Sequence, residues 1–298
     1  MGEHRRRSSA ARLAGAALGG FVLVAACGWL VQAAVEPVPA SSPVAAPARP
    51  AVTPVPAPEP APTLEPAPTP EPAADTPTAE AAGLPASTTF TTIDGAPPDP
   101  DPTAATDGTV VHPLRATAVH DAPGGTPIAT MATEQFGDTW LPVIGERDGW
   151  VQVLLPSRPA RSSGWIRAAD VERAVTPYVI EVHLGSRTME LRSGGAAVGT
   201  WSVGVGAPGT PTPVGRTFVL GAFRNAEQDY SPLFFPLGTH SPTLDSFGGG
   251  PGTVAFHGWP TGDTFGAATS NGCIRVPADA LRALTAVPVG TLVLIDEA

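Results

Sequence analysis

Ser270-Asn271-Gly272-Cys273-Ile274-Arg275, with His257 sixteen residues ahead of its cysteine in Ala255-Phe256-His257-Gly258-Trp259, is the stretch on which the reading of this chain turns. The chain has two cysteines, and the other, Cys27, lies in an N-terminal apolar segment. An exported domain with one cysteine cannot close an internal disulfide, so Cys273 is either inert or kept for its reactivity. A buried free cysteine acting as a small hydrophobe is the bland alternative. The neighbours of Cys273 are Ser, Asn, Gly and Arg rather than an apolar run, which favours a reactive thiol. A lone cysteine and a histidine brought near by the fold are the minimal equipment for thiolate acyl chemistry.

Working outward, the first 35 residues carry the address. Arg5, Arg6, Arg7 and Arg12 precede an uncharged apolar stretch from Leu13 to Val31. As a helix it would rise about 28 Å, close to the hydrocarbon thickness of a bilayer. Arginines on that side predict a cytoplasmic N-terminus and an exported remainder, held by a signal anchor. Two other fates stay open: Val24-Ala25-Ala26-Cys27 resembles a bacterial lipobox, and cleavage after Ala33 or Ala34 would suit a signal peptidase. All three place residues 36–298 in the cell envelope, outside the cytoplasmic membrane. The formal charge is −10, and all seventeen basic residues are arginine. Such a balance argues against a nucleic-acid footprint.

Residues 36–108 read as a Pro/Ala-rich disordered spacer. Twenty prolines fall between Pro37 and Pro102, excluding helix interiors and central strands. Extended, this stretch would reach at most roughly 200 Å. Residues 109–172 read as short strands around Trp140-Leu141-Pro142-Val143-Ile144, Gly149-Trp150-Val151 and Gly164-Trp165-Ile166, separated by turn signals such as Asp121-Ala122-Pro123-Gly124-Gly125. The Asp-x-Pro-Gly-Gly opening, the Gly-Trp-Val pair and the closing Gly-Trp-Ile-Arg resemble bacterial SH3-like domains. The tryptophans read as barrel core before they read as a recognition groove, and His112 and His120 as surface residues.

Residues 173–298 read as a mainly β domain with one short helix. Tyr178 to Leu184 alternates with period two, and Arg216-Thr217-Phe218-Val219-Leu220, Val254-Ala255-Phe256 and Gly290 to Ile295 are further strand signals. Pro277 to Thr285 has a proline in its first turn and Leu281 and Leu284 spaced to pack inward. Asn225 to Pro251, rich in Gly, Pro, Ser and aromatics, reads as a flap. Metal binding is not expected, because the histidines lack ligand spacing.

His257-Gly258, the loop after it and Ser270-Asn271-Gly272-Cys273-Ile274-Arg275, together with Thr212-Pro213-Val214-Gly215-Arg216-Thr217-Phe218 upstream, resemble the L,D-transpeptidase (YkuD-like) catalytic domain. That resemblance implies a β-sandwich fold acting on peptidoglycan stem peptides in the cell wall, without cofactor, metal or obligatory protein partner. It implies Cys273 as nucleophile, His257 as base with an imidazolium beside the sulfur, the Gly258 carbonyl as orienter of the ring, and backbone N–H groups of Gly272 and Cys273 for the oxyanion. It also implies substrate contacts from Arg275, Asn271 and Ser270, with Trp259, Tyr230, Phe234 and Phe235 as groove walls. The family has histidine where this chain has Asn271, which keeps a donor but cannot carry a proton. The implied reaction is a 3→3 cross-link formed through a Cys273 acyl-enzyme with release of D-alanine. L,D-carboxypeptidase action on the same donor and a non-catalytic wall-binding protein are the alternatives.

Overall fold

A computed structural model describes residues 78–224, 230–248 and 250–298. The apolar segment with its three fates, and the spacer up to Pro77, lie outside the described residues. Among the described residues no helix is long and apolar enough to cross a membrane.

The first sheet is built from β1 (Thr109–Pro113), β2 (Thr117–His120), β3 (Pro127–Met131), β4 (Leu141–Arg147), β5 (Trp150–Leu154), β6 (Ser163–Arg167) and β7 (Val171–Val175). Its strands lie in the order β3-β2-β6-β5-β4-β1-β7. Val111, Val119, Val151, Val153 and Ile166 are fully buried in its core. Trp150 joins them at 7 % exposure, and Arg167 covers its ring at 4.5 Å. His120 corrects the surface reading: it is 4 % exposed, with Nδ1 on the Gly125 carbonyl at 3.0 Å.

The second part comprises β8 (Tyr178–His183), β9 (Thr188–Ser193), β10 (Ala196–Ser202), β11 (Val205–Gly206), β12 (Gly215–Phe218), β13 (Phe234–His240), β14 (Thr253–His257), β15 (Ala268–Ser270), β16 (Ile274–Arg275), α1 (Ala278–Leu284) and β17 (Leu292–Asp296). A five-stranded sheet, β10-β9-β8-β17-β12, faces a three-stranded one, β13-β14-β16, with β11 and β15 paired beside them. Ile180, Val182, Met189 and Leu191 from the first meet Leu237, Val254, Phe256 and Ile274 from the second in one apolar core. α1 closes that core with Ala280, Leu281 and Leu284, the stripe expected from their spacing.

Three expectations change. β13 runs through the stretch read as a flap; its ladder shifts register between Pro236 and His240, the irregularity that lets a strand hold a proline. The boundary at 172/173 falls inside β7, and Phe218, Leu220 and Leu292 pack into the core of the first sheet, so the two parts share apolar contacts. Residues 78–108 are not a free spacer: Ala81, Ser87, Thr89, Ile93 and Asp99 are buried. Their backbone is tied in by Ser87 N–H to Thr130 O at 2.8 Å, Ile93 N–H to Arg158 O at 2.8 Å and Asp99 N–H to Arg161 O at 2.8 Å. Proline content constrains local backbone shape but does not prevent such long-range bonds.

Candidate active site

Three strands bring the site together. In register, Phe235 of β13 and Ile274 of β16 flank Phe256 of β14, and Phe234 and Arg275 flank His257. Strand side chains alternate between faces. Phe235, Phe256 and Ile274 point into the core, at 4 %, 0 % and 0 % exposure, so the Phe234–His257–Arg275 row lies on the opposite face. Phe235 is therefore core rather than groove wall. Cys273 immediately precedes β16 and keeps partial exposure. His257 and Cys273 line one cavity with Tyr230 and Phe234 and another with Trp259, Ser270, Asn271 and Arg275.

Hydrogen bonding fixes the histidine. Its Nδ1 lies 2.8 Å from the Gly258 carbonyl, which can only accept, so Nδ1 carries the proton and Nε2 the lone pair. Gly258 is held in turn by its N–H donating to Ser231 Oγ at 2.7 Å, and Ser231 Oγ donates to the Leu233 carbonyl at 2.6 Å. Rings surround the imidazole: Tyr230 at 5.4 Å, Phe234 at 5.5 Å and Trp259 at 6.0 Å.

The nucleophile loop is internally braced. Ser270 Oγ donates to the Cys273 carbonyl at 2.6 Å and accepts the Gly272 N–H at 3.1 Å. Ser270 is 2 % exposed, and its hydroxyl holds the loop. The same bond engages the Gly272 N–H, one of the two donors expected to meet the oxyanion. Gly272 itself sits at φ +107°, a conformation open to glycine and costly for other residues. The Thr-Pro stretch buttresses the loop from behind: Thr212 Oγ1 donates to the Gly272 carbonyl at 2.9 Å and Thr210 Oγ1 to that of Ser270 at 2.9 Å. Asn271 is exposed on the rim of the Arg275 cavity.

Arg275 lies over the Trp259 ring, 3.7 Å from its centroid, and donates to Thr264 Oγ1 at 3.0 Å and Thr269 Oγ1 at 3.3 Å. Its Nε is buried without a hydrogen-bond partner, and no salt bridge to Arg275 is found among the described residues. A guanidinium so placed has donors to offer a carboxylate. His240, the other histidine of this region, is buried away from the thiol with Nε2 on the Thr89 carbonyl at 2.7 Å. Among the described residues no group of three or more His, Cys, Asp or Glu could hold a metal ion.

Burial sets the protonation states. It lowers His257 to about 4, a shift opposed by the Gly258 carbonyl bond and deepened by the Arg275 charge. It pushes the Cys273 thiol up, against the pull of a backbone hydrogen bond from Ala255 and of Arg275. Both shifts favour the neutral forms, thiol and imidazole, over a thiolate–imidazolium pair. A stability effect follows. Between pH 6.5 and about 4 the unfolded chain protonates this imidazole while the folded chain does not, so stability falls as pH drops through that window. The loss expected from this group is about 3 kcal/mol by pH 4. Thermal unfolding of wild type and His257→Gln at pH 7 and 4.5 checks it: wild type should lose more on acidification, and parallel losses would show that burial does not hold the ring neutral.

The family model for the L,D-transpeptidase catalytic domain, YkuD, matches residues 177–295. A curated relative, "Putative L,D-transpeptidase YkuD" of Bacillus subtilis (strain 168), is 26 % identical over 167 residues, covering 54 % of this chain and 94 % of its own length. Among solved structures, an L,D-transpeptidase from Mycobacterium smegmatis is 14 % identical with a TM-score of 0.33, covering 52 % of this chain and 99 % of its own. L,D-transpeptidase 3 from Mycobacterium tuberculosis is 16 % identical with a TM-score of 0.36, covering 53 % of this chain and 94 % of its own. Over residues 177–295 the chain is similar to L,D-transpeptidase catalytic domains of the YkuD type.

Proposed function

We propose that the domain forms 3→3 cross-links between peptidoglycan stems, with Cys273 as nucleophile and His257 as its base. The observation that carries this reading is the Nδ1–H bond to the Gly258 carbonyl at 2.8 Å, which leaves Nε2 as the proton acceptor in the cavity shared with Cys273. In the first step Nε2 takes the thiol proton as sulfur attacks the carbonyl of the third stem residue. The Cys273 N–H steadies the oxyanion. The imidazolium returns its proton to the departing D-alanine, leaving a thioester. A neighbouring stem amine, deprotonated by Nε2, displaces the sulfur and forms the new amide.

Arg275 receives a stem carboxylate, and Asn271, Trp259 and Tyr230 frame the same cavity. Arg275→Lys should lower kcat/KM by roughly 10- to 100-fold, mainly through KM, because a point charge replaces a planar donor fork. Steady-state kinetics with a tetrapeptide donor checks this; an unchanged KM would remove Arg275 from the binding role.

The arginine-flanked apolar segment and the proline-rich stretch after it support membrane attachment, with the domain held in the cell wall. The short strands of residues 109–175, sheeted around an apolar core, support an SH3-like accessory domain facing that wall. The deciding experiment incubates the full chain with a diaminopimelate-type disaccharide tetrapeptide. Cross-linked dimer with loss of one D-alanine is expected. Tripeptide alone would make water the acceptor and the enzyme a carboxypeptidase, and no Cys273-dependent product would overturn the reading.

A further inference from the structure

Among the described residues six large hydrophobic side chains are exposed, and three of them, Phe90 at 70 %, Phe136 at 44 % and Phe247 at 54 %, line one cavity of about 260 Å³ together with His257 and Cys273. Phe90 and Phe136 lie outside residues 177–295, so side chains from beyond the catalytic domain complete its site.

The structure holds both in place by means unrelated to burying them. Phe136 tips a tight loop closed by Gln135 N–H to Gly137 O at 2.7 Å and Thr139 N–H to Thr133 O at 2.7 Å. Its φ is +55°, a conformation a bulky residue adopts only where the surroundings enforce it. Gln135 Nε2 donates to the Ser87 carbonyl at 2.8 Å, joining this loop to the segment that carries Phe90. Gly221 lies against the same loop so closely that a Cβ there would come within 2.6 Å of Phe136 Cβ. From Phe136 a file of rings leads to the base: Phe136 on Phe223 at 5.6 Å, Phe223 on Phe234 at 5.5 Å, Phe234 on His257 at 5.5 Å.

Among the described residues the lining of this cavity includes no Asp, Glu or Arg. A stem carboxylate or ammonium placed there would be desolvated without a partner. The other cavity at Cys273 holds Arg275, Asn271 and Ser270 and suits the charged end of the stem. The part of a peptidoglycan donor that carries no charge and presents flat C–H faces is its N-acetylated sugars. We infer that Phe90 and Phe136 form, with Phe223 and Phe247, a subsite for the sugar rings attached to the stem, and so make the enzyme prefer glycan-linked donors over free stem peptide. This rests on the transpeptidase reading proposed above.

The test measures acylation of the full chain by a disaccharide tetrapeptide and by the free tetrapeptide, for wild type, Phe136→Ala, Phe90→Ala and Phe136→Trp, with thermal unfolding run on each. The ratio of kcat/KM for the two donors should fall about tenfold in either alanine variant and be retained in Phe136→Trp, where a ring remains. An unchanged ratio overturns the subsite. Equal loss on both donors also overturns it, pointing to the aliphatic stem as occupant if the fold is intact and to the loop's structural role if the melting temperature drops. Wild type acylated by neither donor would instead defeat the transpeptidase reading itself.

Discussion

Cys273→Ala is expected to abolish cross-linking, with a loss of about 10⁴-fold or more in the rate of D-alanine release. The size follows from the chemistry: without sulfur there is no acyl-enzyme, and neither the histidine nor the oxyanion donor has a step to assist. The fold should survive, because the side chain is partly exposed and the loop is held by Ser270, Thr210 and Thr212 rather than by the thiol. A folded, inactive variant that still binds the donor separates chemistry from structure. Comparable activity in the variant would remove Cys273 from the mechanism.

Asp99→Ala should be the most damaging single change to stability. The Asp99 carboxylate accepts from Arg216 Nε at 2.7 Å and from a terminal guanidinium nitrogen at 2.6 Å, with 0 % and 3 % of the two side chains exposed. Arg216 lies in β12, within the sheet that frames the catalytic domain, and also donates to the Ala104 carbonyl at 3.1 Å. Removing the carboxylate leaves a buried cation uncompensated, at a cost of about 3–5 kcal/mol. For a protein of this size the melting temperature should fall by roughly 10 °C or more. Replacing both partners, Asp99→Ala with Arg216→Met, should recover much of the loss, since it is the orphaned charge that is costly. A melting temperature within about 1 °C of wild type in Asp99→Ala would mean that residues 78–108 do not dock on the domain in solution.

That ion pair also marks where sequence reading stops. Cys273, His257 and Arg275 stand out in the sequence because each is a chemically distinctive side chain in a short run, whereas the face that His257 and Arg275 share follows from the pairing of β14 with β16. The helix over Ala278–Leu284 was legible from its proline and leucine spacing. Asp99 looked like one more acid in a proline-rich tract, because its partner is 117 residues away and no local pattern joins them. Phe90, Phe136 and Phe223 were missed for the same reason: isolated phenylalanines become a wall only when the chain brings them together. On a finer scale, the hydroxyl that takes up the Gly272 N–H lies two residues away, a contact that no sequence pattern announces. The direction in which the Cys273 and His257 protonation equilibria shift depends on how deeply each is buried, a three-dimensional quantity.

The most direct measurement is intact-mass spectrometry of the full chain shortly after mixing with a disaccharide tetrapeptide, followed by digestion to place any adduct. The expected result is a mass increase equal to the donor less one D-alanine, carried on the peptide that contains Cys273 and decaying as acceptor amine is added. Cross-linked product forming with no adduct on Cys273, or with the adduct on another residue, would contradict it.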